Sequence, residues 1–86
     1  MQIVKIGPVE LTMDDAEKLY TSGEKYLVTF SKIYQIHFSQ AQKTYYGSVV
    51  YSCAKGANLA KRGRFHAFTA REVNNLLGYK LLNEEV

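Results

Sequence analysis

Apolar residues recur along this chain in two rhythms, alternate positions in some stretches and successive helical turns in others. Residues 2–6 are rich in β-branched side chains, with Ile3, Val4 and Ile6 around Lys5, which favours a strand. Gly7-Pro8 interrupts this run and Val9 to Leu11 resumes it, the signature of a short hairpin with a tight turn. Thr12 stands where an N-cap hydroxyl belongs. Asp14 and Asp15 follow in the first turn, where carboxylates meet the positive end of the helix dipole. Met13, Ala16, Leu19 and Tyr20 share one face of that helix, and Gly23 is placed to end it.

From Lys25 to Phe38 the alternation is strongest. Tyr26, Val28, Phe30, Tyr34, Ile36 and Phe38 fall at period two, with Lys32 the single exception. This predicts one long strand with a bulge or bend near Ser31-Lys32. The polar stretch 39–44 reads as a turn. Residues 45–53 read as the returning strand, with Tyr45, Val49, Tyr51 and Cys53 on one face and Gly47 allowing a bulge or close approach. Small residues dominate 54–61, which also carries Lys55 and Lys61, so a flexible basic loop is expected. A short strand over 62–68 would then put Arg62, Arg64 and His66 on one face and Phe65 and Ala67 on the other.

Thr69-Ala70-Arg71-Glu72 is a capping box, and Phe68 and Val73 bracket it as a hydrophobic staple. Val73, Leu76 and Leu77 form the expected buried face of the second helix. Gly78 stops it, Leu81 and Leu82 return to the core, and 83–86 frays. The sum is one α+β domain spanning 1–86. Its expected architecture is a small antiparallel sheet of four to five strands with two helices packed on one face.

Composition removes several classes of function. With 86 residues there is room for one core. Hydrophobic residues at 47% and charged residues at 22% describe a globular chain rather than a disordered one. No apolar run approaches the roughly 20 residues needed to cross a bilayer, and the start lacks a basic-then-apolar signal pattern. Cys53 is the only cysteine, so no internal disulfide can form and a reduced, cytoplasmic setting is expected. Two histidines and one thiol make a poor metal set, and no glycine-rich phosphate loop or nucleotide fingerprint is present. No cofactor is expected. Cys53 with His37 or His66 is the one nucleophile-and-base arrangement available. Because Cys53 alternates with core-facing positions, it reads as a structural thiol, and no catalytic residue is assigned.

Charge patterning is the most informative feature. Residues 1–24 carry Lys5 and Lys18 against Glu10, Asp14, Asp15, Glu17 and Glu24, a net of −3. The next 42 residues hold Lys25, Lys32, Lys43, Lys55, Lys61, Arg62 and Arg64 with no acidic residue, a net of +7. The remainder is −1. Eight of the eleven aromatic residues lie in the basic block. Cations for phosphates among rings for bases are what nucleic-acid surfaces use, although tyrosines also favour strands and lysines also guard strand edges. The expected binding residues are Lys55, Lys61, Arg62, Arg64 and His66. Neutralising about four phosphates on duplex DNA would give a log–log salt slope near −3.6. The tyrosine-rich hairpin, especially Tyr45, Tyr46 and Tyr51, forms a second candidate surface. Adjacent strand residues point to opposite faces, so one of Tyr45 and Tyr46 lies outside the core unless a partner or a second copy covers it.

The run from Lys61 to Asn74, KRGRFHAFTAREVN, resembles the C-terminal part of small proteins of phages and integrative elements. Size, a single compact domain and the lack of a cofactor motif are also similar to phage-encoded inhibitors of bacterial defence, the anti-CRISPR proteins. That group shares no common sequence, so it assigns no site residue. Many of its members are acidic nucleic-acid mimics, from which the basic centre here departs. The resemblance implies action on a nucleoprotein complex or an acidic protein surface. The expected function is therefore a non-enzymatic module binding nucleic acid or a nucleoprotein through the basic loop and strand. The alternative is an inhibitor of a host defence protein, or a homodimer, using the tyrosine hairpin.

Overall fold

A computed structural model describes residues 2–52, 59–60 and 64–84. The first hairpin forms as the sequence predicts, with β1 (Ile3–Ile6) and β2 (Val9–Thr12) pairing antiparallel in the register Ile3↔Thr12 to Ile6↔Val9. Helix α1 (Met13–Ser22) follows directly, capped by the Thr12 hydroxyl, which accepts from the Asp15 amide at 3.1 Å. Gly23, at φ 89°, closes it in the left-handed conformation. The main sheet then consists of β3 (Tyr26–Val28), β4 (Lys32–Ser39), β5 (Thr44–Ser52) and β6 (His66–Phe68), in the order β5-β4-β3-β6 and antiparallel throughout. Helix α2 (Ala70–Leu77) completes the described chain with the capping box in place. The Thr69 hydroxyl accepts from the Glu72 amide, and the Glu72 carboxylate accepts from the Thr69 amide.

Several expectations change; the strand expected over 62–68 begins only at His66, so that Arg64 and Phe65 precede it, and three larger changes concern the sheet and its layers. The 25–38 stretch is two strands joined by a tight turn rather than one bent strand. Thr29 makes the reversal: its amide and its hydroxyl both donate to the Lys32 carbonyl, at 2.9 and 2.7 Å. Reversal sends the two halves of the aromatic stripe to opposite faces. Secondly, Ile33 pairs with Tyr51 but Tyr34 pairs with Val49, which leaves Val50 as a bulge residue. Tyr45 therefore packs with one core cluster and Tyr51 with the other. Thirdly, the helices cover opposite faces of the sheet.

The cause lies in β3, whose three residues are all apolar and all buried. Leu27 enters a cluster with Ile36, Ala16 of α1 and Val4, Ile6, Val9 and Leu11 of the first hairpin. Tyr26 and Val28, pointing the other way, join Ile33 and Val73 of α2. A strand apolar on both faces needs a layer on each side. The first layer is drawn in tightly. A Cβ on Gly47 of β5 would lie 2.6 Å from Ile6 Cγ2 and 3.2 Å from Ile6 Cα, so a glycine is what lets β1 lie on the sheet.

Under α2 the buried partner of Val73 is Asn74, not Leu76, which is exposed. The Asn74 side-chain oxygen accepts from the Leu81 and Leu82 amides, both at 2.9 Å. Its nitrogen donates to the Leu82 carbonyl and to Glu84 Oε2. Arg71 Nε donates to Glu84 Oε1 at 3.0 Å. The segment up to Glu84, expected to fray from residue 83, is held to the helix by these bonds. Among the described residues no helix is long and apolar enough to cross a membrane.

Candidate nucleic-acid interface

The β3–β4 reversal places Phe30, Ser31 and Lys32 at one end of the sheet. The β3–β6 register, with Val28 opposite His66, carries the residues just before β6 to the same end. There Arg64 and Phe65 meet the turn and the tip of the first hairpin. A groove of about 420 Å³ lies between them, lined by Pro8, Val9 and Glu10, by Thr29 to Lys32, and by Tyr34, Arg64 and Phe65. Its size falls within the roughly 300–1,000 Å³ usual for ligand sites. The Gly7 backbone sits against the Tyr34 ring, so that closely that a Cβ there would fall 2.5 Å from ring carbons. Phe65 is 38% exposed. Glu10, the one acid among the described residues of the lining, has its carboxylate 3.8 Å from Lys5.

The four described cations of the basic block occupy three places. Lys32 and Arg64 share the groove. Lys25 lies over the Tyr20 ring of α1, 5.8 Å from its centroid. Lys43 occupies the turn at the far end of β4 and β5 with φ 52°. Lys55, Lys61 and Arg62, together with Cys53, lie outside the described residues. His66 is exposed but stacks on Phe68, centroids 5.7 Å apart and planes at 14°, and it does not line the groove.

Tyr45 and Tyr46 part company as the alternation requires. Tyr45 is turned toward α1, with its ring 5.4 Å from Tyr20 and 5.1 Å from Phe38. Burial, then the nearby Glu17 carboxylate and Tyr20, push its phenol above the usual value. Tyr46 is 50% exposed and stacks on His37 at 5.1 Å. His37 Nε2 lies 2.7 Å from the Ser48 hydroxyl. These residues belong to the end of the sheet remote from Arg64, so the two candidate surfaces are not one site.

Sequence reasoning missed Phe30, Lys32, Tyr34 and Phe65 as companions of Arg64. The available signal was the Ser31-Lys32 break in the alternation, which marks a reversal as well as it marks a bulge. A second hollow, of about 390 Å³, lies at the start of α2 beside Lys25, Arg71 and Glu84. Its polar groups are largely spent on each other, Arg71 on Glu84 and the helix-start amides of Thr69 and Glu72 on the capping box. Among the described residues no three His, Cys, Asp or Glu side chains gather as a metal site. No protein-family model, curated protein or solved structure matches this chain.

Proposed function

We propose that this chain is a non-enzymatic binding module that engages nucleic acid, free or within a nucleoprotein complex, through the groove at the Arg64 end of the sheet. One observation carries the reading: Arg64 and Lys32 converge with Phe30 and Phe65 on a single concavity. The guanidinium and ammonium groups supply phosphate contacts, and the rings supply apolar faces. Lys55, Lys61 and Arg62 precede Arg64 in the sequence and lie outside the described residues. Fluorescence anisotropy of labelled oligonucleotides over a salt series tests the reading. Affinity should fall steeply with salt, and a Lys32→Ala/Arg64→Ala variant should flatten the log–log slope by about 1.4 to 1.8. Salt-independent binding, or none at low salt, would overturn it.

A second reading rests on Tyr46, half exposed over His37 where no described element covers the sheet. There the module would contact a host protein, as an inhibitor of defence, or a second copy of itself. Sedimentation of wild type and Tyr46→Ala separates these from the first reading, because Tyr46 is remote from the groove.

A further inference from the structure

We infer that the groove selects unpaired bases, so that the ligand is single-stranded nucleic acid with a base against the Phe65 ring and adjacent phosphates on Arg64 and Lys32. This rests on the reading above and narrows it. Two sets of observations lead here. The first is what the groove offers. Aromatic faces are useful to a base only when its own faces are free, and in a duplex they are taken by neighbouring base pairs. Phe65, 38% exposed, is an accessible aromatic residue that lines the groove together with two cations. A concavity of about 420 Å³ accommodates a nucleotide-sized unit rather than a double helix.

The second is what the described elements do not offer to a duplex. Major-groove reading needs a helix or a two-stranded ribbon that enters the groove with cations along it. Helix α1 begins with Asp14 and Asp15 and has no basic residue in its last turn. Helix α2 has eight residues, with Glu72 in its first turn and no base in its last. The β4–β5 ribbon carries Gln35, His37, Tyr46 and Ser48 on its less covered face, and Lys32 is its only charged strand residue. None of these described elements carries a row of cations: Lys18 and Lys43 stand singly on α1 and in the β4–β5 turn, and Arg71 of α2 is bonded to Glu84.

The test compares a single-stranded oligonucleotide with the duplex of the same sequence, each titrated with wild type, Phe65→Leu, Phe65→Tyr and Lys32→Ala/Arg64→Ala. Circular dichroism melts would show that each variant is folded. The expected result is that the single strand binds at least tenfold tighter than the duplex. Phe65→Leu, which keeps an apolar side chain but no ring, should lose about 5- to 150-fold on the single strand, and Phe65→Tyr should retain binding. Equal affinity for both forms, or a Phe65→Leu variant like wild type while the double charge variant loses binding, would overturn base stacking and leave phosphate binding standing. No binding of either oligonucleotide would overturn both.

Discussion

The two faces of the four-stranded sheet are closed by different means. On one, the first hairpin and α1 supply an apolar layer in which Ile6, Ala16, Leu27 and Ile36 are fully buried and β1 meets Gly47 almost backbone to backbone. On the other, α2 contributes Val73, and the chain beyond it is fastened by the hydrogen bonds of one buried amide, Asn74. The first arrangement is strong because every lost atom leaves a cavity in a close-packed interior. The second is directional, with each bond worth little net but costly to leave unmade. Apolar packing should therefore govern global stability, and the polar clamp should govern where the C-terminal segment lies.

The largest effect that would break this contrast comes from Ile36→Ala. Removing a fully buried Ile at the centre of the first cluster should cost about 2–5 kcal/mol, read as a lowered urea midpoint with an unchanged slope. A loss under 1 kcal/mol would mean that the hairpin layer does not anchor the fold.

Asn74→Ala should cost less, about 1–3 kcal/mol. Its signature should be local: amide protection lost at Leu81 and Leu82 by hydrogen exchange, with the β3–β4 ladder still protected. Loss of protection across the whole sheet would show that the clamp and the core are one cooperative unit.

Glu84 sharpens the same point at the smallest scale. Hydrogen bonds from Asn74, then from Arg71, hold its carboxyl below the ordinary 4.5. A depressed carboxylate adds stability that is present above 4.5 and lost as the pH falls through its lower folded value. The difference between wild type and Glu84→Gln should therefore shrink on acidification below pH 4.5, measured by denaturant melts. A gap that is constant with pH would dissociate the carboxylate from the clamp.

Local chemistry was legible in the sequence wherever it is complete within a few residues. Thr12 and Thr69 cap helices, Gly23 and Gly78 end them, and Gly7-Pro8 turns the first hairpin. The α+β class and the β4–β5 hairpin follow from the same patterns. Residues 25–38 were harder because alternation has the same period whether or not the chain reverses inside it. The candidate site was legible only as Arg64 in a basic, aromatic block. Its companions Phe30 and Lys32 come from a turn that lies more than thirty residues earlier in the chain.

The amino-acid order by itself thus determined the helix ends, the β1–β2 and β4–β5 hairpins and the acidic–basic–acidic division of charge, since capping and turn formation act over short separations. Only the tertiary structure decided that α1 and α2 take opposite faces, that Asn74 rather than Leu76 is buried, and that Lys32 joins Arg64 while Lys25 and Lys43 do not. Those outcomes depend on contacts between segments, the pairing of strands on either side of β3 and the bonds that close over Asn74. A shift of a single residue in that pairing sends each side chain to the other face of the sheet.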